Sequence, residues 1–111
     1  MDDRKTDAAI VERLFRLIEE RRGADPETSH TARLFAKGRA TIARKVGEEA
    51  VETVVAALAE TPERVAQESA DLLYHLLVLW AETGVVPADV WAELERREGL
   101  SGIAEKKARG K

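Results

Sequence analysis

LAETPERV, residues 58–65, is where two long helical patterns meet with only a turn between them. Upstream, helical spacing runs from about Thr41 to Glu60. Downstream, it runs from about Pro62 to Glu82. Thr61 has the side chain of an N-cap, and Pro62 suits the first helical position, where a missing N–H costs nothing. A connection this short allows the two helices one arrangement, an antiparallel hairpin. The rest of the chain is helical too. Ile10, Leu14, Leu17 and Ile18 give a first helix from about residue 6 to Arg22, closed by Gly23. After a turn at Asp25-Pro26, Ser29 caps a short helix carrying Ala32, Leu34 and Phe35 that stops at Gly38. Beyond Gly84 a last helix runs from about Pro87 to Glu98. No stretch alternates as a strand does. The expected fold class is all-α, a helical bundle built on the long hairpin, with one domain over residues 1–98 and a basic, frayed tail over 99–111.

Composition agrees with this expectation. The chain has 111 residues, 44% of them hydrophobic and 35% charged but only 5% aromatic, as in a helix-rich globular protein with a single core. A net charge of −3 with both signs interspersed gives no field that selects nucleic acid or an anionic membrane as partner. Cysteine is absent, which excludes disulfides and thiolate metal sites. The N-terminal MDDRKTDAAIVERL lacks the apolar core of a signal peptide, and LLYHLLVLW at 72–80 is too short to span a bilayer, so a cytoplasmic protein is expected.

The hairpin brings carboxylates opposite one another. Counted outward from the turn, Glu52 and Asp71 are level, roughly 14 Å along the axis at 1.5 Å per residue. Glu49 lies one turn beyond Glu52, and Glu68 lies one turn nearer the bend than Asp71, so each helix offers two carboxylates at i and i+3. Oxygen donors in this number suit a hard divalent cation such as Mg²⁺, whose shell substrate phosphates often complete. An ordinary solvated face accounts for KVGEEAVETVV, residues 45–55, equally well. Val51, Val54 and Leu58 form one stripe with Lys45, Glu49 and Glu52 nearly opposite, and Lys45 stands four residues before Glu49 as in a surface ion pair. The second helix weighs against that view. From Leu72 to Trp80 it is apolar nearly all round, and carboxylates on a helix buried on several sides need a cation or donors. Lys45 alone cannot neutralise four of them. The same apolar load exceeds what so small a chain can cover, which points to a homodimer with this helix near the interface.

Other residues enter as candidates. Lys37, Arg39, Arg44 and Lys45 cluster before the acidic stripe, where phosphate binding and plain solvation are both open. His75, one turn after Asp71, can face the carboxylates or pack in the core. Glu27 and His30 have the spacing of half a di-iron motif, but no second Glu-x-x-His exists. Trp80 and Trp91 suit core or interface anchors. No phosphate-binding glycine loop, dinucleotide fingerprint, nucleophile elbow or zinc spacing occurs.

Lys45-Val46-Gly47-Glu48-Glu49-Ala50-Val51-Glu52, with Glu68-Ser69-Ala70-Asp71-Leu72-Leu73-Tyr74-His75-Leu76-Leu77, resembles the signature of phosphoribosyl-ATP pyrophosphohydrolases, within the MazG-like all-α nucleoside triphosphate pyrophosphohydrolases. Ser29 to Leu34 and Gly38 resemble that family's upstream segment, where an aromatic often replaces His30. The resemblance spans about residues 10 to 98 and lacks the cyclohydrolase domain fused to some relatives, so a monofunctional chain is expected. It implies hydrolysis of 1-(5-phosphoribosyl)-ATP to 1-(5-phosphoribosyl)-AMP and pyrophosphate, in L-histidine biosynthesis. By position it makes Glu49, Glu52, Glu68 and Asp71 the Mg²⁺ ligands. Glu48 becomes the group that orients or deprotonates water, and Lys45 with Lys37 or Arg39 the phosphate binders. The alternatives are a housekeeping pyrophosphohydrolase of nucleoside triphosphates with the same metal site, and a non-enzymatic helical dimerisation module.

Overall fold

The computed structural model describes residues 6–99. Among these described residues five helices succeed one another: α1 (Ala9–Glu20), α2 (His30–Lys37), α3 (Arg39–Ala59), α4 (Pro62–Thr83) and α5 (Pro87–Glu98). No strand occurs among the described residues, and the fold is all-α. The basic tail lies outside them beyond Gly99.

The predicted punctuation acts as expected at most ends. Thr61 Oγ1 accepts from Arg64 N at 3.2 Å, with Pro62 opening α4. Ser29 Oγ accepts from Ala32 N at 3.1 Å and starts α2. Gly84 closes α4 at φ 84°, a left-handed conformation that costs a residue with a Cβ about 1 kcal/mol or more. Gly38, at φ 97°, separates α2 from α3, which begins at Arg39, two residues earlier than expected. The first helix ends at Glu20, before Gly23, because the chain already turns at Arg21.

α3 and α4 form the antiparallel hairpin, and the core lies at its open end. There Ile42 of α3 and Leu77, Val78 and Ala81 of α4 pack with Phe15 and Ile18 of α1 and Leu34 of α2. Burying each large side chain fully is worth about 1.5–3 kcal/mol. Arg22 Nη1 donates to the Ala81 carbonyl at 2.7 Å, and Trp91 Nε1 donates to Glu12 Oε1 at 3.0 Å, fastening the turn after α1 to α4 and α5 to α1.

The rotation of α3 about its own axis decides which of its side chains meet α4. Its face toward α4 carries Ile42 and Ala56, at 0% and 1% exposure, and Glu49 sits between them at seven-residue spacing. Val51, Val54 and Leu58 point away, at 62%, 56% and 83% exposure. The stripe that an ordinary surface helix would bury is the one this helix exposes.

Two substitutions test the two ends of the hairpin. Leu77→Ala is expected to cost about 2–5 kcal/mol of unfolding free energy, by loss of burial and a residual cavity. Thr61→Ala is expected to cost about 1 kcal/mol, by loss of the cap. Urea denaturation monitored by circular dichroism measures both.

Candidate active site between the hairpin helices

Glu49 reaches α4 because it occupies the core-facing register of α3. Glu68 and Asp71, one turn apart on α4, meet it there. One carboxylate oxygen from each of Glu49, Glu68 and Asp71 lies within 4.8 Å of the others. Glu68 is buried, Glu49 half-buried and Asp71 exposed, so the group opens to solvent on one side. Glu52, the fourth expected ligand, is outside that trio and exposed, but close enough to act on the charge of Glu68. It lines a cleft of about 260 Å³ with Val55, Glu60, Arg64 and Glu68.

Hydrogen bonding does not satisfy this cluster. Glu49 Oε2 and Glu68 Oε2 are both buried, with no hydrogen-bond partner among the described residues. Arg64 donates through Nη2 to the other oxygen of Glu68, while its Nε donates to Glu60 Oε1 at 3.2 Å and its Nη1 to Gln67 Oε1. Burial raises the pKa of Glu68 above the ordinary carboxyl value, Arg64 partly offsets that, and Glu52 and Asp71 raise it further. The trio is an all-oxygen donor set in which two oxygens are buried without a hydrogen-bond partner among the described residues. It fits a hard divalent cation, which would neutralise the carboxylates and take up the two orphaned oxygens.

The remaining candidates divide. Glu48 points to the surface, with its oxygens 3.7 Å from Arg44 and 3.5 Å from Lys45. Lys45 thus pairs with Glu48, not with Glu49 as the surface-helix pattern would have it. Lys37 is exposed in the last turn of α2. Arg39 is tied to α4, with Nε 3.7 Å from Glu82 Oε2 and Nη2 donating to the Glu82 carbonyl at 3.2 Å. His75 is buried, and its Nδ1 lies 2.8 Å from the Asp71 carbonyl. A carbonyl only accepts, so Nδ1 carries a proton and donates it there. Arg64 is absent from the sequence-derived candidates, although its i to i+4 spacing from Glu68 is a legible signal. Tyr74 is absent from them too. Its hydroxyl meets Thr31 Oγ1 at 2.6 Å, a pairing between residues 43 apart that no local pattern announces.

Fold and donor set define an all-α protein with a carboxylate centre held across a helix hairpin. Residues 11–98 match the family model of phosphoribosyl-ATP pyrophosphohydrolase. The chain is 63% identical to a phosphoribosyl-ATP pyrophosphatase of Paramagnetospirillum magneticum, over 95% of this chain and 96% of that one. It is 59% identical to the phosphoribosyl-ATP pyrophosphatase of Azospirillum brasilense, over 98% of each chain. The Rhodospirillum rubrum protein of the same name is 61% identical over 92% of this chain and 87% of its own. The chain belongs to the phosphoribosyl-ATP pyrophosphohydrolase family.

The raised pKa of Glu68 makes a stability prediction. A carboxyl that binds its proton more tightly when folded stabilises the fold at pH below the ordinary carboxyl value. That contribution is lost as pH rises through the folded pKa. At pH above the ordinary carboxyl range and without metal Glu68 therefore opposes folding, and Glu68→Gln is expected to raise the thermal midpoint at neutral pH. The gain should vanish below the carboxyl range. A metal-free variant less stable than the parent at neutral pH would refute this electrostatic account.

Proposed function

We propose that the protein hydrolyses 1-(5-phosphoribosyl)-ATP to 1-(5-phosphoribosyl)-AMP and pyrophosphate, the second step of L-histidine biosynthesis, with Mg²⁺ as cofactor. The supporting observation is the pair of buried, unpartnered oxygens of Glu49 and Glu68 across the hairpin, in a chain whose relatives are named for this activity.

Glu49, Glu68 and Asp71, with Glu52 at the rim, would hold the Mg²⁺. When bound, the cation offsets the charge that grows on the polyphosphate in the transition state. The protein's own groups do the rest. Lys45 and Lys37 draw in the phosphates and stabilise the departing pyrophosphate. Arg39 serves the same field at longer reach, because Glu82 holds its guanidinium. Glu48 stands one residue before Glu49 and orients a water for in-line attack. The new phosphorus–oxygen bond forms as the α–β phosphoanhydride breaks, the carboxylate accepts the water's proton, and pyrophosphate leaves with the bonding electrons. His75 contacts the nucleotide through the ring edge opposite its Nδ1.

Residues 1–98 act as one domain under this proposal, in the cytoplasm, on a small nucleotide and without a nucleic-acid or membrane partner. No helix among the described residues is long and apolar enough to cross a membrane. The protein works as a homodimer. The exposed row Val51, Val54, Val55 and Leu58 on α3, with Leu73 on α4, supplies the apolar surface that a second copy covers.

Glu49→Gln and Asp71→Asn are each expected to lower turnover by at least about 100-fold and to weaken Mg²⁺ binding measured by calorimetry, without unfolding the chain. Chelation should abolish activity, and added Mg²⁺ should restore it. A substrate panel completes the test. Cleavage of deoxynucleoside triphosphates in preference to phosphoribosyl-ATP would replace the substrate assignment, and full activity of both variants would remove the metal site.

A further inference from the structure

One turn along α4 from Asp71, away from the bend, three aromatic rings meet. The His30 ring lies 6.2 Å from that of Tyr74, with the planes 22° apart. The His75 ring stands nearly perpendicular to both, 5.0 Å from Tyr74 and 6.4 Å from His30. The bond between Thr31 Oγ1 and the Tyr74 hydroxyl ties α2 to α4 beside the rings, and the bond from His75 Nδ1 to the Asp71 carbonyl fixes the third ring in place. From His75 through Tyr74 to His30 the rings step from buried to exposed.

The fold gives His30 no task. Ser29 supplies the cap of α2, and Ala32 and Leu34 supply its buried side chains. Nor is the ring placed to serve as a cation. Burial and then the neighbouring His75 of α4, Arg33 and Lys37 of α2 and Lys45 of α3 all lower its affinity for a proton. What remains is an exposed, flat ring, disfavoured as a cation, lying nearly parallel to a tyrosine and flanked by cations.

We infer that His30, backed by Tyr74, is the surface on which the purine ring of the substrate nucleotide stacks. The inference rests on the proposed function for the presence of such a nucleotide, and deepens it by assigning the base. The placement suits the connectivity of a nucleotide. Tyr74 and His75 follow Asp71 by three and four residues on α4, about one helical turn, ~5.4 Å, along the axis, and His30 packs beside both rings, so a ribose can bridge from phosphates held at the acidic cluster toward a base lying on His30. Stacking needs a π-face and no particular hydrogen-bonding edge, and an exposed imidazole lying nearly parallel to a tyrosine provides one.

The experiment compares His30→Ala, His30→Phe, His30→Trp and His30→Lys in the full-length protein with Mg²⁺. His30→Ala should raise KM for phosphoribosyl-ATP, and the inhibition constant of AMP, by roughly tenfold, while kcat changes far less. Phe and Trp should restore both constants and Lys should not. Binding of ribose 5-phosphate, which has no base, should be the same in all. Retention of the parental constants by His30→Ala, their restoration by Lys, or failure of both aromatic variants to restore them overturns the inference. If the parent protein does not cleave phosphoribosyl-ATP, the proposed substrate fails first, and proton NMR then decides the platform separately. AMP should shift the His30 and Tyr74 ring signals where ribose 5-phosphate does not, and equal or absent shifts overturn it.

Discussion

The structure depends on carboxylates that face each other across a hairpin with too few cations between them. Among the described residues, Glu49 and Glu68 each keep a buried oxygen without a hydrogen-bond partner, and Arg64 satisfies only the other oxygen of Glu68. Such groups separate or protonate unless the backbone forbids the first and a ligand prevents the second. Here the backbone does forbid separation. The capped Thr61-Pro62 turn fixes one end of the hairpin, and the packing of Ile42, Leu77 and Val78 with α1 and α2 fixes the other. The acidic cluster lies between these two clamps, so stability built elsewhere holds it in an arrangement unfavourable by itself. Functional centres commonly violate the local rules that the remainder of a fold obeys.

The same constraint explains the surface of α3. A helix that turns Glu49 inward must turn Val51, Val54, Val55 and Leu58 outward, because the two stripes lie on nearly opposite faces. The exposed apolar row and the buried acidic site are therefore one feature. Under the proposed homodimer, a second copy of the chain on that row would cover the apolar surface that α3 leaves exposed.

How much of this was legible from the amino-acid sequence depends on the range of the interactions. The helices, the hairpin and the caps at Ser29 and Thr61 are local, and their spacing revealed them. The pairing of Glu49 with Glu68 and Asp71 was legible because a short turn fixes the register across it. The orientation of α3 was not. Its own periodicity equally describes a surface helix with the valines inward, and only the packing of Ile42 and Ala56 against α4 decides between the two faces. The outlying position of Glu52, the engagement of Arg39 with Glu82 and the rings of His30, Tyr74 and His75 all depend on contacts between distant segments. No motif of adjacent residues encodes those. Phosphate-binding and water-orienting roles are chemistry added to positions, and the string from Lys45 to Glu52 points to them through family likeness.

The central claim is that α3 and α4 share one divalent cation. Anomalous diffraction from a crystal of the protein soaked in Mn²⁺, a scattering substitute for Mg²⁺, tests it most directly. One strong peak is expected between the helices, bonded to oxygens of Glu49, Glu68 and Asp71. A crystal with those carboxylates ordered and no peak among them, or with the ion bound elsewhere, would contradict the claim.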